Sequence, residues 1–506
     1  MNVRPFSAVR PTAAAAPQVA AVPYDVVDTA EAKALAEGNP ASFLHVSRPE
    51  IDMPEGTDCS SPEAYAQAKK ALDALRSGGT LVQDPEPRFY AYRQVMGDHA
   101  QTGIVATFDT QDYLAGILKQ HEKTRKDKED DRTRHIEILK AHTGPAFLTY
   151  KDVAAIDAIV ADACAAAPRD DFTAPDGIRH TVWNIPSARN DELQALFGKI
   201  PVAYIADGHH RSAAASRYAK ENGFAGETRW FMAVAFPASQ LKILPYNRLV
   251  ADLNGLTAEA LLAKAKEVFT VTEAADGAPA AGRHARMFLA GRWYDLAWEV
   301  PAGTDVVSSL DVSVLQDRFL APVLGIGDPR TSPRISFMGG VRGLDELSGR
   351  VTSGRDAVAF SMYPVTVGEM MDIADAGAIM PPKSTWFEPK LRSGLFVHVV
   401  DSGQVAGPSR RHAPREGPSG IHRPGLGDRD VLRLYDPVWL SASSFHPHRD
   451  DHEGEQGRRD ARDLRHEPLH DLHPVSDPVL DREPSVGRKP LLRCHRRGLA
   501  RGRPGS

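Results

Sequence analysis

The residues best suited to chemistry follow a short apolar run near the middle of the 506-residue sequence. The run 202–206 has strand character and leads into Asp207, after which Gly208 permits a tight turn. A helix-forming segment follows and can end at Gly223. Two imidazoles and a guanidinium therefore fall in the first turn of a predicted helix, where unpaired backbone N–H groups and the helix dipole favour an anion. The pattern predicts a phosphate-handling site at this helix start.

Each residue of the element has a chemical role in this interpretation. Asp207 is either the helix N-cap or a carboxylate directed at a metal or a hydroxyl, and Arg211 binds phosphate oxygens as a fork. His209 and His210 point about 100° apart around a helix, so one ring contacts the transferred group while the other turns away. The alternative is an N-cap followed by polar first-turn residues on a surface helix. Adjacent histidines rarely chelate one ion and no third ligand follows at zinc spacing, so no metal site is assigned.

A second candidate region is the stretch 119–135, which contains no apolar residue. Its residue types favour a helix that is polar all round, which either lies in solvent or lines a wet cleft. Glu122 and Asp130 are candidate general bases for a substrate hydroxyl. Basic faces of such a helix can close over an anionic ligand, and they carry Lys128, Arg132 and His135 on one side and His121 and Arg125 on another.

Polar residues at strand ends and one short loop complete the candidate binding residues. Such positions carry ligands in α/β folds, with simple turn chemistry as the alternative. The loop follows two prolines and superficially resembles the end of a phosphate-binding loop, but the upstream glycines of a Walker loop are absent. These candidates are Tyr24, Asp25, Asn247, Arg248, Lys383, Ser384 and Thr385.

The segments around these residues alternate between helix and strand character, which indicates an α/β (α+β) fold with a mixed-sheet body. Predicted helices include 29–37 and 62–77, and predicted strands include 42–46, 88–95 and 394–400. The tail has 18 arginines against one lysine and no sustained periodicity, which indicates disorder or translation in a wrong frame. The predicted parts are an N-terminal α/β part (1–110), a core with the charged helix and the motif (111–250), an inserted small α/β module (251–340), the rest of the body (341–401) and the tail (402–506).

Composition narrows the classes of function. The net charge is −5, and residues 1–401 carry 42 Lys and Arg against 51 Asp and Glu, which gives no attraction to nucleic acid. The sequence has no signal peptide and no apolar run of the roughly 18 residues that a membrane span needs. Three widely spaced cysteines indicate neither a disulfide framework nor a zinc motif. We therefore expect a cytoplasmic protein whose partner is a small molecule, with its oligomeric state left open.

The ordered motifs of residues 1–401 resemble a bacterial and archaeal family known as DUF1015, a domain of unknown function. Its members usually end near residue 401, which supports treating the tail as aberrant. The resemblance rests on Arg4-Pro5-Phe6, Pro23-Tyr24-Asp25-Val26-Val27, His121-Glu122 with Thr124-Arg125, Asp127-Lys128, Asp131-Arg132, Ala206-Asp207-Gly208-His209-His210-Arg211, Leu244-Pro245-Tyr246-Asn247-Arg248 and Pro381-Pro382-Lys383-Ser384-Thr385-Trp386-Phe387.

The Asp-Gly-His-His-Arg element is also similar to the phosphate-binding motif of the ParB/sulfiredoxin-like superfamily, which includes free serine kinases. This similarity implies a ParB/sulfiredoxin-like core element and phosphoryl transfer from ATP or ADP, with Mg²⁺, to a small hydroxylated metabolite such as serine. Asp207, His209, His210 and Arg211 would surround the transferring phosphate. No position matches the N-terminal catalytic glutamate of those kinases. Two alternatives remain: a nucleic-acid or nucleotide-binding protein of ParB-like type, and a metal-dependent hydrolase that uses both histidines.

Overall fold

The computed structural model describes residues 1–400, and the predicted tail 402–506 lies outside the described residues. The described chain forms two large sheets and three short strand pairs. Its strands are β1 (Val3–Arg4), β2 (Val9–Pro11), β3 (Leu81–Gln83), β4 (Tyr90–Met96), β5 (His99–Asp109), β6 (Leu118–Lys119), β7 (Ala141–His142), β8 (Ala146–Tyr150), β9 (Asp170–Thr173), β10 (Arg179–Asn184), β11 (Ala203–Asp207), β12 (Trp230–Pro237), β13 (Lys242–Leu244), β14 (Tyr246–Val250), β15 (Thr270–Ala274), β16 (His284–Leu289), β17 (Arg292–Ala297), β18 (Ile335–Gly339), β19 (Val358–Met362), β20 (Trp386–Glu388) and β21 (His398–Val399).

Helices cover the sheets and connect their strands. No helix within residues 1–400 combines the length and the apolar character that crossing a membrane requires. The α-helices are α1 (Ala16–Val19), α2 (Thr29–Ala36), α3 (Leu44–Ser47), α4 (Pro62–Ser77), α5 (Thr110–Leu114), α6 (Lys126–Leu139), α7 (Ala154–Cys164), α8 (Asn190–Gly198), α9 (His209–Glu221), α10 (Ala258–Val268), α11 (Asp311–Leu315), α12 (Gly343–Thr352) and α13 (Val367–Asp375).

A nine-stranded mixed sheet forms the body and carries the motif. Its strand order is β6-β11-β8-β12-β5-β4-β10-β9, and β1 pairs with β5 beside this path. β12 runs parallel to β8, and β11 runs parallel to β6, while the remaining pairs are antiparallel. The predicted mixed-sheet α/β body is therefore confirmed. β11, which ends at Asp207, lies next to the edge strand β6.

Alternate residues of β12 belong to two different cores. Phe231 and Ala233 pack in the core that contains Tyr218 of α9, and Met232 and Val234 pack in the core shared with the second large sheet. Both faces of the strand are thus buried, because side chains alternate along a strand. This explains why the segment is apolar throughout instead of alternating between apolar and polar residues.

The second large sheet has six strands in the order β15-β17-β16-β19-β14-β18, and all its pairs are antiparallel. β15, β16, β17 and β18 come from the predicted inserted module 251–340. β14 and β19 come from the chain on either side of that range, so the sheet joins the module to its flanks. The domain boundaries given above stay predictions.

One predicted strand is wrong and another is shorter than predicted. Instead of a strand at 42–46, the chain forms α3 from Leu44, because Phe43 and Val46 are buried among helices and the Ser47 amide bonds to the Phe43 carbonyl at 3.0 Å. Tertiary burial here overrides local β propensity. The predicted closing strand 394–400 is reduced to β21, which pairs with β7.

The predicted charged helix begins later than the sequence indicated. α6 starts at Lys126, and Arg125 before it has an extended conformation, so residues 121–125 form a loop. The predicted shared helix face of His121 and Arg125 is therefore wrong. The loop brings His121 and Glu122 toward α9 instead.

Candidate functional site

Strand β11 leads into α9 through a single glycine. Gly208 has a φ of 85°, which L side chains rarely adopt, and it occupies the N-cap position of α9. The predicted N-cap role of Asp207 is therefore wrong, because this turn places the glycine there. The Asp207 carboxylate instead accepts hydrogen bonds from the Gly208 amide at 2.7 Å and from Lys390 Nζ at 3.0 Å.

Replacing Gly208 by Ala is expected to destabilise the protein by roughly 1–2 kcal/mol, the penalty of a left-handed non-glycine residue. The added Cβ would also lie 2.9 Å from Arg211 Nε, so the guanidinium would have to move. Denaturant unfolding measures the loss. Gly223→Ala is the matched control for the backbone penalty alone. Gly223 also has positive φ, but no neighbour lies within 4 Å of the added Cβ. If Gly208→Ala unfolds at the wild-type denaturant concentration, the described turn is wrong.

Three backbone amides at the start of α9 lack acceptors within residues 1–400. They belong to His209, His210 and Arg211, and they precede the first bond of the helix, from the Ser212 amide to the Gly208 carbonyl at 2.9 Å. α9 has 13 residues, so its dipole adds to the positive potential at this end. Such a helix start can bind a phosphate or carboxylate group.

The side chain of His209 turns into the protein and meets His121. The two rings are nearly perpendicular, with centroids 4.6 Å apart, and both are buried. His121 Nε2 lies 3.3 Å from Thr385 Oγ1, and His209 Nδ1 lies 3.8 Å from Glu122 Oε2. Burial lowers the pKa of His121 to about 4 and, with the neighbouring His121, the pKa of His209 well below its ordinary value. Burial thus favours the neutral form of both rings. Because His209 is buried, the surface-helix alternative is wrong.

His210 points away from His209, as adjacent helical residues do. Its Nε2 accepts the backbone N–H of Arg125 at 3.1 Å, which ties the loop before α6 to α9. Burial lowers the pKa of His210, and the nearby Asp25 carboxylate opposes that shift. One ring is thus turned inward and the other toward the loop, as predicted, while their part in group transfer stays a prediction.

Glu122 is the carboxylate whose environment favours a proton-accepting role. Its side chain is half-exposed, yet the surrounding protein raises its pKa, and the Asp207 carboxylate raises it further. The charge of Lys383 acts in the opposite direction, and Asp25 adds to the increase. A base whose pKa lies nearer the working pH accepts a proton more effectively.

Two lysines complete the group. Lys390 Nζ lies over the Trp386 ring at 4.7 Å. Burial lowers the pKa of Lys390, but the hydrogen-bonded Asp207 carboxylate outweighs burial, so the pKa is raised overall. Lys383 Nζ lies 5.4 Å from the centroid of the Tyr246 ring.

Arg248 is buried and donates to the carbonyls of Tyr246 and Lys383, so it positions the Lys383 loop and does not face a ligand. Burial lowers the pKa of Arg248 to about 10.

Acid is expected to destabilise the protein through its buried neutral histidines. Burial lowers the pKa of His121 to about 4 and those of His135 and His180 to about 3. The unfolded chain, with histidine pKa values of about 6.5, therefore binds more protons below that pH, and the free energy of unfolding falls by about 1.4 kcal/mol per pH unit for each such histidine. This stability is present above the unfolded pKa and is lost as the pH falls toward the folded values.

Denaturant unfolding over this pH range measures the slope. His135→Gln is the informative variant, because the ring makes one hydrogen bond, to the Val46 carbonyl at 3.4 Å. The variant should lose stability less steeply with acid than the wild type does. Equal slopes in the two proteins would contradict the assignment of a depressed pKa to His135.

A sequence model described as a protein of unknown function, DUF1015, matches residues 3–313. The chain belongs to this family. None of the curated proteins matches the sequence.

Solved structures of other proteins are only distantly similar to this DUF1015 protein. A free serine kinase in complex with AMP is 12% identical, with a TM-score of 0.31 over 58% of this chain and 91% of that chain. SbnI from Staphylococcus aureus, with a C-terminal truncation, is 12% identical, with a TM-score of 0.32 over 59% and 90%. A conserved hypothetical protein from Pyrococcus furiosus is 13% identical, with a TM-score of 0.31 over 58% and 95%. Similarity at this level leaves the chemistry of the site to be inferred from its side chains.

The fold brings most predicted site residues of this DUF1015 protein to the start of α9. We call them the α9 cluster, together with His121, which the sequence placed on a helix face, and Lys390, which the sequence did not single out. Contacts and mutual electrostatic effects join its members. The α9 cluster consists of Asp25, His121, Glu122, Asp207, Gly208, His209, His210, Arg211, Lys383, Thr385 and Lys390.

Other predicted residues lie outside the α9 cluster. Asp130 pairs with Lys126 at 2.6 Å and with Arg217, two turns along α9 from the motif, so its carboxylate is held in ion pairs away from the α9 cluster. Its role as a general base stays a prediction. Asn247 Oδ1 accepts the Met362 amide at 3.1 Å. Ser384 Oγ donates to the Pro381 carbonyl at 2.7 Å, within its own loop. Arg125 and Lys128 are exposed near His210. Arg132 stacks on the Tyr24 ring at 4.1 Å, beyond Arg211.

His121 and Lys390 differ in how the sequence could have placed them in the α9 cluster. His121 belongs to the His-Glu motif, and assigning it to a helix face hid its contact with His209. Lys390 follows Trp386 in a polar segment, and only the tertiary pairing with Asp207 distinguishes it from a surface lysine.

Proposed function

We propose that this protein is a nucleotide-dependent phosphotransferase, which moves the terminal phosphoryl group of ATP or ADP to a hydroxyl group of a small metabolite. One observation carries the proposal: the amides at the start of α9, which lack acceptors within residues 1–400, share this end of the helix with three cations and with Glu122. Arg211 and Lys390 lie beside Asp207, and the charges of Lys383 and Lys390 act on Glu122. Phosphoryl transfer requires charge stabilisation and positioning above all.

The cations and amides would stabilise the phosphoryl group as it moves. Negative charge on its equatorial oxygens is best met by preorganised donors in a site with little water. Arg211 is held by a bond from Nη1 to the Pro145 carbonyl at 2.5 Å, which leaves Nε, buried and without a partner in residues 1–400, free to donate. The His209 ring supplies packing and a hydrogen-bonding Nε2, which has no partner within residues 1–400, without adding charge.

Glu122 would act as the general base. The bond between the terminal phosphorus and the bridging oxygen of the nucleotide breaks, and a bond from the acceptor oxygen to phosphorus forms. The proton of the acceptor hydroxyl passes to the Glu122 carboxylate, and the shortened nucleotide leaves as an anion. The raised pKa of Glu122 suits this step better than the pKa of Asp207, which the Lys390 and Arg211 charges hold low.

Magnesium would enter with the nucleotide. Mg²⁺ in phosphoryl-transfer sites is bound by one or two carboxylates together with phosphate oxygens. Asp25 is the side chain suited to this, because Glu122 is needed to accept the proton. Within residues 1–400 no three His, Cys, Asp or Glu side chains are arranged to hold a metal ion by themselves. The geometry thus suits a metal that the nucleotide carries better than a hydrolase centre built on His209 and His210.

The acceptor and donor can be identified with the purified full chain. Serine is the first acceptor to test, because the Asp-Gly-His-His-Arg motif is similar to that of free serine kinases. ³¹P NMR with ATP or ADP, Mg²⁺ and a panel of small hydroxylated compounds should show a new phosphomonoester signal and loss of the terminal nucleotide phosphate. Hydrolysis to inorganic phosphate alone, or no change with any acceptor, would contradict the proposal. Neither a membrane nor nucleic acid is needed as a partner.

A further inference from the structure

A small cavity lies next to the α9 cluster, on the far side of Arg211. Its walls come from α6, α9, the loop that follows β7, and Tyr24 and Ser393. The centre of a water molecule has about 40 Å³ in which to move there, and one water needs roughly 10–15 Å³ by this measure. The cavity therefore has room for one small functional group, such as a carboxylate with its neighbouring atoms.

Two guanidinium groups line the cavity, and none of the residues that line it is acidic. Arg132 is largely buried, lies over the Tyr24 ring at 4.1 Å and is held from behind by Asp131 at 2.7 Å. Arg211 reaches the cavity from α9, and its nearest carboxylate, Asp207, is 3.9 Å away. The two charged groups of the wall are thus both cations with N–H donors, set beside apolar side chains such as Ile136 and Phe231. This combination suits a planar oxyanion such as a carboxylate on a short carbon chain.

His142 adds an acceptor to this wall. It is 5% exposed, and its Nε2 has no partner within residues 1–400. His142 Nδ1 lies 3.3 Å from Nδ1 of His398, whose Nε2 lies 2.9 Å from the Glu227 carboxylate. A carboxylate only accepts, so His398 donates from Nε2 and accepts at Nδ1, and His142 donates from Nδ1. Nε2 of His142 is then a free lone pair, which matches a hydroxyl donor.

We propose that this cavity binds the carboxylate and the 2-hydroxyl of a short 2-hydroxy acid, whose further hydroxyl group is the phosphoryl acceptor. The carboxylate bonds to Arg132 and Arg211, and the 2-hydroxyl donates to His142. An ammonium at this position would lie beside two guanidiniums with no acidic group in the wall. The site therefore selects a compound such as glycerate over serine. The assignment of this further hydroxyl group as acceptor rests on the proposed phosphotransferase function, whereas binding in the cavity does not.

Calorimetric titration of the full chain without nucleotide tests the binding directly. Glycerate should bind about tenfold or more tightly than serine, and also more tightly than 3-hydroxypropanoate, which lacks the 2-hydroxyl. Arg132→Met should weaken glycerate binding about tenfold, the loss of a charge-assisted contact. Arg134→Met, on the outer face of α6 and paired with Glu137, is the matched control and should bind glycerate as the wild type does.

Gly144→Ala provides a second variant that keeps every charge. The new Cβ would lie 3.2 Å from Ser393 Oγ and 3.7 Å from Arg211 Nη1, so it narrows the cavity without a strained backbone. It should also weaken glycerate binding. Serine binding as tightly as glycerate, or glycerate affinity unchanged in both Arg132→Met and Gly144→Ala, would overturn the inference. Glycerate binding that needs Arg132 but leads to no phosphoryl transfer would instead refute the phosphotransferase function alone.

Discussion

Arg211→Ala is expected to lower the rate of phosphoryl transfer by roughly 10²–10³-fold, the usual loss when one donor to a developing anionic charge is removed. The guanidinium lies between the α9 amides and the neighbouring cavity, and its fixed bond to the Pro145 carbonyl means that no reorganisation is needed when charge develops. The loss should appear in kcat, and KM for a carboxylate-bearing acceptor should rise as well, because Arg211 also lines the cavity proposed to hold that carboxylate. Steady-state kinetics with nucleotide and the acceptor identified by NMR measure it.

Arg217→Ala is the matched control for this prediction. Arg217 lies two turns further along α9, where it pairs with Asp130 and, at 2.9 Å, with Glu221, away from the α9 cluster. Its replacement should leave kcat unchanged and cost little stability, as is usual for exposed ion pairs. Wild-type turnover by a folded Arg211→Ala protein would remove Arg211 from the site.

Glu122→Gln is expected to reduce kcat by about 10²–10⁴-fold, because proton transfer to a positioned base contributes that much. The amide keeps the size of the side chain and cannot accept the proton. The pKa of Glu122 is raised by its surroundings and by Asp207, so the wild-type rate should rise with pH through a value above the ordinary glutamate pKa. This rise in rate with pH, the acid limb of the pH profile, should be missing from the residual activity of the variant.

Glu137→Gln on α6 serves as the matched control, since Glu137 is exposed and pairs only with Arg134 among its charged neighbours in residues 1–400. It should retain the wild-type rate and the wild-type pH profile. If Glu122→Gln keeps both the rate and the acid limb, another group accepts the proton.

The local sequence pattern was sufficient to predict those helices and strands whose structure depends on the residues within them. α4 matches its predicted range because Ser61 caps it and an apolar face recurs through Leu72 and Leu75. β12 is a continuous apolar run, which a strand buried on both faces requires. The strand-glycine-helix geometry of β11 and α9 was likewise predicted from one glycine between an apolar run and a helix-forming run.

Elements decided by distant contacts could not be predicted in the same way. α3 is helical because Phe43 and Val46 find a core among helices, which nothing in their own sequence indicates. The pairing of Lys390 with Asp207 joins residues 183 positions apart. The alternation of charges in 119–135 is compatible with helix throughout, yet the bond of the Arg125 amide to His210 keeps the first part a loop. The sequence therefore located the candidate site, but the side chains that surround it could be identified only from the folded structure.

A crystal structure of the full chain with Mg²⁺ and a non-hydrolysable ATP analogue tests the central claim most directly. The terminal phosphate oxygens should lie within about 3 Å of the backbone nitrogens of His210 and Arg211, the usual length of such hydrogen bonds, with Arg211 Nε and a lysine of the α9 cluster also in contact. Glu122 should face the acceptor side of that phosphate. A nucleotide whose phosphates lie elsewhere, with the start of α9 bound only to water, would contradict the proposed phosphotransferase site.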